Sequence, residues 1–312
     1  MEKARVAIID LGTNTFNLLI TEVVRNSYRI LEESKCPVKL GEGGIHKATI
    51  TDDAMNRGVE ALTNHLITIS EYQVDSIFCF ATSAIRSAVN GAEFVRKVKQ
   101  DLGLSIRVIP GDEEAQTIFD GIKQVVPLDN LYSLIMDIGG GSVEFIIANK
   151  NGIAWKESYN IGTARILESF NYPDPIPNKD VQQITDYINK ELASLFDAVK
   201  KYPIYKLVGS SGSFDTMADM IAKKEYPLLD NSKITNFKIE NEYFVDLYNQ
   251  LRDADSHTRR LIPGMDASRV DSIVPACIMT KIVMTKIKPK ELWQCSFSLK
   301  EGAILQIINT EL

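Results

Sequence analysis

The chain has 312 residues, 45% of them apolar and 24% charged, and a formal net charge of −6. That length suits two domains, each with enough apolar material for its own core. The acidic balance argues against general nucleic-acid binding, so a polyanionic ligand would need local cations or a bound metal. In chain order, alternating and continuous apolar runs predict strands at 5–11, 16–24 and 28–35, then a helix over 51–72 capped by Thr51. A strand at 75–81, helices near 83–88 and 91–102, a strand at 105–109 and a helix over 112–125 complete the first half.

Pro127-Leu128-Asp129-Asn130 is a short turn-forming joint, which divides the chain into domains at 1–126 and 127–312. The second half starts with strands at 131–137, 143–149 and 152–159. Beyond a surface loop, Pro173 to Pro177, come a long helix over 178–200 and a strand at 205–209. The remainder adds helices near 240–252, 268–287 and 299–310 and a strand at 291–295; the last helix is free to pack back on the first domain. Leu40-Gly41-Glu42-Gly43-Gly44-Ile45 lacks the strand-then-helix setting of a dinucleotide fingerprint and reads as a mobile loop.

Four scattered cysteines (Cys36, Cys79, Cys277, Cys295) include no Cys-x-x-Cys pair, and His46, His65 and His257 lie in unrelated segments. Buried free thiols in a reducing cytoplasm are the expectation, and a zinc site or histidine-based triad has no support. Arg5 leads into a strand with no leader-like segment before it. The most apolar helix, Ser272 to Ile287, carries Pro275 and Lys281 and is too short to span a bilayer. It reads as a buried core helix. From Arg259 to Lys290 the sequence runs basic, which reads as a solvated face; were it at the exit of a binding cleft, it would guide an acidic chain.

The two halves repeat. Asp10-Leu11-Gly12-Thr13-Asn14-Thr15 aligns without a gap on Asp137-Ile138-Gly139-Gly140-Gly141-Ser142, an offset of 137 − 10 = 127. The same offset carries Thr51 to Asn178 and Thr82 to Gly209. Each copy is a strand, an acid, a small-residue turn and a second strand, followed by alternating helices and strands. This predicts an α/β fold with a helix-covered mixed sheet in each domain. Asp10, Asp137, Thr82 and Gly209 all fall at strand carboxyl ends, where open α/β sheets bind ligands. Two such copies facing one another would hold a phosphate chain and a metal between them.

Glycines and small hydroxyl residues let backbone N–H groups approach an anion closely. Three turns qualify as phosphate-binding: Gly12 to Thr15 (with Thr13, Asn14 and Thr15), Gly139-Gly140-Gly141-Ser142, and Gly209-Ser210-Ser211-Gly212-Ser213. The third enters a helix, whose dipole also favours an anion. Arg86, one turn beyond a strand end, has the fork geometry for phosphate. Gly111-Asp112-Glu113-Glu114-Ala115 opens a helix, where acids favour the dipole, but a carboxylate there also suits activation of a water. Strand alternation puts Ser142 and Glu144 on one face. With Asp137 across the turn, Glu144 makes an oxygen-only site for a hard cation such as Mg²⁺.

These residues carry a resemblance to the exopolyphosphatase / guanosine pentaphosphate phosphatase (Ppx/GppA) family of the actin-like ATPase superfamily. The resemblance rests on the two aligned turns, on Thr82…Arg86 and on Gly111-Asp112-Glu113-Glu114-Ala115. It continues through Val143-Glu144, Gly209 to Ser213, Arg269-Val270-Asp271 and Ser298-Leu299-Lys300-Glu301-Gly302. It implies two actin-like (ribonuclease H-like) domains, each a mixed five-stranded sheet flanked by helices, with the active site in the interdomain cleft. It further implies Glu114 as the catalytic glutamate, Asp137 and Glu144 as essential acids near the metal with Asp10 as a further ligand, and Arg86 as a phosphate contact. The implied reaction is Mg²⁺-dependent (or Mn²⁺-dependent) hydrolysis of the terminal phosphoanhydride of inorganic polyphosphate, guanosine pentaphosphate or both. No nucleic acid or membrane is implied as a partner, and a homodimer is compatible. A kinase or ATPase of the superfamily, or a filament-forming actin relative, are the alternatives. Long members of the family carry further helical domains, so tight handling of very long chains is not expected here.

Overall fold

The computed structural model describes residues 3–230 and 234–310; the outer ends of the two predicted domains, 1–2 and 311–312, lie outside them. Two compact units partition the chain: Met1–Ile122 with Ser298–Leu312, and Lys123–Phe297.

In the first unit, β1 (Lys3–Leu11), β2 (Thr15–Val24) and β3 (Ser27–Pro37) form an antiparallel meander. The chain then crosses over by α1 (Asp52–Glu71) to β4 (Ser76–Ala81), which lies parallel to β1, and by α2 (Ser83–Ser87) and α3 (Gly91–Leu102) to β5 (Ile106–Val108). The sheet order is β3-β2-β1-β4-β5. β1 is central, so Val6-Ala7-Ile8-Ile9 is buried on both faces, which explains its unbroken apolar run. Ala7, Ile9 and Leu11, with Phe16, Leu18 and Ile20 of β2, share a core with Leu62 of α1 and Phe94 of α3. α1 begins where Thr51 Oγ1 accepts the Ala54 N–H at 3.3 Å. Two further helices, α4 (Gly111–Ile122) and α12 (Leu299–Thr310), pack on each other, and α12 also lies over β1 and β2. Glycine permits that crossing: a Cβ on Gly302 would sit 1.7 Å from the Thr117 carbonyl oxygen, and one on Gly121 2.1 Å from that of Ser298.

The second unit repeats the plan. β6 (Tyr132–Ile138), β7 (Val143–Asn149) and β8 (Gly152–Tyr159) form the meander. α5 (Thr163–Ser169), α6 (Asn178–Glu191) and α7 (Ala193–Lys201) lead to β9 (Ile204–Ser210), parallel to β6. α8 (Ser211–Glu225), β10 (Asn236–Ile239), α9 (Asn241–Asp253), α10 (Ser256–Arg260) and α11 (Ile273–Ile287) precede β11 (Glu291–Cys295). The sheet has six strands, β10-β11-β9-β6-β7-β8, rather than five; β10 adds an antiparallel edge that its four residues gave little periodicity to reveal. α11 is buried nearly all round from Ile273 to Val283, as its uniform hydropathy implied.

Four local expectations change. The helix expected over 178–200 breaks at Leu192, whose buried side chain sits at a backbone of φ −87° and ψ 18° that is not helical. The offset carries the capping position of Thr51 to Asn178, but Asn178 is the first residue of α6 and Pro177 stands at the cap. The stretch 40–45 is no open loop: it is a series of hydrogen-bonded turns running into a 3-10 helix at Ile45–Lys47, with Leu40 and Ile45 buried. Arg259 belongs to no solvated face. It is buried, its guanidinium pairs with Asp174 at 2.7 Å, and it donates to the carbonyls of Ala254 and Val270.

Candidate active site

In the second unit, β6 delivers Asp137 and Ile138 to the Gly139–Ser142 turn, which closes when the Gly139 N–H donates to the Ser142 carbonyl at 3.0 Å. The turn's own carbonyls are taken by the segment that follows β8. Thr163 N–H donates to Gly139 O (3.0 Å), Ala164 N–H to Gly140 O (2.8 Å) and Gly162 N–H to Gly141 O (3.4 Å). Arg165 Nε donates to Gly141 O as well, at 2.8 Å. In a planar trans peptide the N–H points opposite to the preceding C=O. The N–H groups of Gly140, Gly141 and Ser142 therefore all turn away from this segment, which makes a concavity for an anion.

One row of side chains crosses the sheet beside that turn. Asp137 stands opposite Glu144 on β7 and opposite Ser210 on β9, and Glu144 stands opposite Ser158 on β8. Residues in register share a face, so the four form a line. Ser210 Oγ donates to Asp137 Oδ2 and Ser158 Oγ to Glu144 Oε1, both at 2.6 Å. Asp137 is 6% exposed and Glu144 only 1%. Two buried carboxylates side by side repel unless a cation stands near them. Among the described residues, no three Asp, Glu, His or Cys side chains gather as a self-sufficient metal cage. The donor set at Asp137 and Glu144 fits a hard cation whose remaining ligands are phosphate oxygens and water.

The third turn runs from β9 into α8. Ser211 takes a left-handed backbone (φ +69°) and its Oγ donates to the Ile138 carbonyl at 2.8 Å, tying this turn to the end of β6. Gly209 and Gly212 leave room for neighbours: added Cβ atoms would lie 2.1 Å from the Phe214 ring and 2.3 Å from Arg269 Nη2. Burial pushes the Arg269 guanidinium below the usual arginine range, while Asp266, Asp215 and Asp137 act to raise it. Ser213 Oγ is buried without a hydrogen-bond partner, as is the Thr163 hydroxyl.

The first unit holds Asp10, the Thr13-Asn14-Thr15 turn, Arg86 and Glu114, all at the carboxyl ends of the parallel strands β1, β4 and β5. Gly12 N–H donates to Thr15 O at 3.1 Å. Here the segment after β3 takes the carbonyls: Val38 and Lys39 N–H both donate to Asn14 O at 2.9 Å, and Gly41 N–H to Thr13 O at 3.3 Å. By the same peptide geometry, the Asn14 and Thr15 N–H groups turn the other way. Asn17 stands opposite Asp10 and donates to its Oδ2 at 2.9 Å. The hydroxyls of Thr13 and Ser83 are buried without partners.

Arg86 and Glu114 meet directly. Arg86 Nη1 donates to Glu114 Oε2 at 2.6 Å and to the Ile109 carbonyl at 3.0 Å. Glu113, one residue earlier on the helix, instead meets the exposed Arg107 at 2.6 Å. The two neighbouring glutamates thus differ in kind: Glu113 forms a surface ion pair, and Glu114 is buried at the strand ends.

Each unit thus brings together its own share of the predicted residues. Sequence reading missed Asn17, Ser158, Ser83, Thr163 and Arg165. Asn17 was within reach, because a hairpin closed at 12–15 puts residue 17 opposite 10 and the 127-residue offset pairs it with Glu144. The others depend on loop and crossover geometry that periodicity does not encode.

A family model described as the Ppx/GppA phosphatase family matches residues 19–311. A putative exopolyphosphatase of Haemophilus influenzae is 28% identical over 302 residues, covering 97% of this chain and 91% of that protein. A guanosine-5'-triphosphate,3'-diphosphate pyrophosphatase of Photobacterium profundum is 24% identical over 97% of this chain, which spans 59% of that longer protein. Among solved structures, an exopolyphosphatase from Cytophaga hutchinsonii superposes with a TM-score of 0.95 at 36% identity, covering 98% of both chains. The Aquifex aeolicus family member shares the fold, with a TM-score of 0.80 at 23% identity over 99% of both chains.

Proposed function

We infer the reaction from one premise: the chain belongs to the Ppx/GppA phosphatase family. The proposed activity is hydrolysis of the terminal phosphoanhydride of inorganic polyphosphate, of guanosine pentaphosphate, or of both. The carrying observation is the Gly139–Ser142 turn, its N–H groups turned outward, next to the buried acids Asp137 and Glu144. A turn of that kind suits a phosphate, and acids beside it suit the phosphate's cation. The names of the matched relatives, exopolyphosphatase and pyrophosphatase, favour this reading over the kinase, ATPase and filament alternatives.

In this scheme the turns at 13–15, 139–142 and 209–213 hold phosphate oxygens through backbone N–H groups, with the unpartnered hydroxyls of Thr13 and Ser213 as added donors. Arg86 uses Nη1 for Glu114 and Ile109, which leaves Nε and Nη2 for the terminal phosphate. Glu114 accepts the proton of a water whose oxygen forms the new bond to phosphorus. The bridging P–O bond breaks, and its electron pair leaves with the shortened chain. Products are inorganic phosphate and a chain one phosphate shorter. Asp137 and Glu144 are the residues proposed to hold a divalent cation, for which Mg²⁺ or Mn²⁺ is the fitting choice. Such a cation would offset charge building on the phosphate oxygens. Positioning and electrostatics carry most of phosphoryl transfer, which suits a site built of turns, an arginine and acids.

The test is phosphate release from short polyphosphate, long polyphosphate and guanosine pentaphosphate at one fixed Mg²⁺ concentration. Release from at least one, falling by two decades or more in Glu114→Gln, is the expected result; general-base help of this kind contributes about 10²–10⁴-fold. No release from any of the three, or a Glu114→Gln variant at the wild-type rate, refutes the reading.

A further inference from the structure

The two meander turns, 12–15 and 139–142, have the same kind of partner: the segment that leaves the third strand of the meander. In the second unit, Gly162, Thr163 and Ala164 give their N–H groups to the three glycine carbonyls of the 139–141 turn. In the first, Val38, Lys39 and Gly41 give theirs to Asn14 and Thr13. Each segment also has an arginine anchor. Arg165 Nε donates to Gly141 O at 2.8 Å. Arg57, on α1, grips its segment from behind, with Nε on the Val38 carbonyl (2.8 Å) and Nη2 on the Lys39 carbonyl (3.0 Å).

We propose that these two exit segments, with Arg165 and Arg57 as their anchors, are positioning elements that set the direction of the phosphate-binding N–H groups. This deepens the phosphatase reading and rests on it. A glycine turn is by itself free to rotate its peptides, because glycine has little steric preference between orientations. A peptide flipped by half a turn presents a carbonyl to the phosphate where an N–H should be. Fixing each carbonyl from behind removes that alternative. Close approach is part of the device: a Cβ on Gly162 would lie 2.4 Å from the Gly140 carbonyl carbon and oxygen. The same arrangement occurs in both halves although the two segments share no sequence pattern (Val38-Lys39-Leu40-Gly41 against Gly162-Thr163-Ala164-Arg165). The backbone donors are therefore the common element, and the arginine differs in where it attaches.

Arg165 acts through the turn, not on the reacting atoms, so its role must be separable from that of a charge facing substrate. Three full-length variants divide the cases: Arg165→Met removes the donor, Arg165→Gln keeps an uncharged N–H donor, and Arg165→Lys keeps the charge. Each is measured for KM and kcat on polyphosphate or guanosine pentaphosphate, whichever the wild type hydrolyses, and for inhibition by inorganic phosphate, with the thermal midpoint as a folding control. Loss of a charge-assisted hydrogen bond predicts a KM and an inhibition constant raised on the order of 10-fold in Arg165→Met, with kcat changed less. Arg165→Gln should recover most of that loss. Gly162→Ala should raise the same two constants, and Arg57→Met should raise KM through the other turn. An Arg165→Gln variant no better than Arg165→Met, or recovery by lysine alone, overturns the proposal, as does an unchanged KM in Arg165→Met. Wild-type protein that releases no phosphate from polyphosphate or guanosine pentaphosphate refutes the parent reading instead, so the two failures are distinguishable.

Discussion

The Arg86–Glu114 pair offers a quantitative prediction. The contact is 2.6 Å, with the arginine side chain 21% exposed and the glutamate side chain 8%. A hydrogen bond between charged groups contributes about 1.5–3 kcal/mol net. Exposed pairs contribute ~1 kcal/mol or less, and removing one partner of a fully buried pair costs about 3–5 kcal/mol. A pair exposed on its arginine side belongs between these limits, at about 2 kcal/mol. The perturbation is a double-mutant cycle of Arg86→Met, Glu114→Gln and the double variant, read by urea unfolding. The two single losses should sum to more than the double loss, with a coupling energy of about 2 kcal/mol. Kinetics should couple too: with Glu114 already replaced, losing Arg86 should cost less in kcat than it does in the wild type. Additive unfolding energies would mean that the two side chains do not meet in solution, and the site in the first unit would have to be rebuilt.

Further outcomes follow from other parts of the molecule. His65 is buried, with its Nε2–H donating to the Phe16 carbonyl at 3.3 Å, and burial holds its pKa below the usual histidine range. The neutral form is the folded one, so stability is full above a pH of about 6.5 and falls as pH drops from there toward the lowered folded value. His65→Gln should remove that part of the acid slope in urea midpoints; an unchanged slope contradicts the assignment. Gly302→Ala would ordinarily stabilise a helix by roughly 0.5–1 kcal/mol. Here the 1.7 Å approach to the Thr117 carbonyl predicts the opposite sign, a loss of ~3 kcal/mol by thermal denaturation. A chelator should abolish phosphate release, and Glu144→Gln should raise the Mg²⁺ concentration for half-maximal rate on the order of 10-fold. A half-saturation concentration equal to wild type would remove Glu144 from the cation site.

Much of this was legible because the meander and its turns obey local rules. β1 and β6 are continuous apolar runs, as central strands must be, and the strand positions of 143–149 and 152–159 match the sequence reading. The 127-residue repeat holds through the hairpin: Asp10 faces Asn17 and Asp137 faces Glu144. It then slips. Asn17 faces Lys35 while Glu144 faces Ser158, so the offset at the third strand is 158 − 35 = 123. Asp10 faces Phe80 while Asp137 faces Ser210, an offset of 210 − 80 = 130 at the fourth. In the sheet Gly209 therefore corresponds to Cys79, and Thr82 lies one residue beyond the end of β4. Insertions in loops and crossovers cost little, so a sequence register set in one hairpin does not extend across them. The same limit hid Arg165 and the 38–41 segment, whose roles depend on which carbonyl a loop reaches. It hid Arg259 as well, since neither charge nor sequence position tells a buried arginine bonded through Nε and Nη1 from a solvated one.

The central claim is that this chain removes phosphate from chain ends, and phosphorus NMR of a defined polyphosphate during turnover tests it most directly. Exolytic hydrolysis predicts that inorganic phosphate grows while internal phosphate signal falls, with the number of end groups constant until the chains are short. A rise in end groups without matching inorganic phosphate, or no inorganic phosphate from either this polyphosphate or guanosine pentaphosphate with Mg²⁺ present, would contradict it.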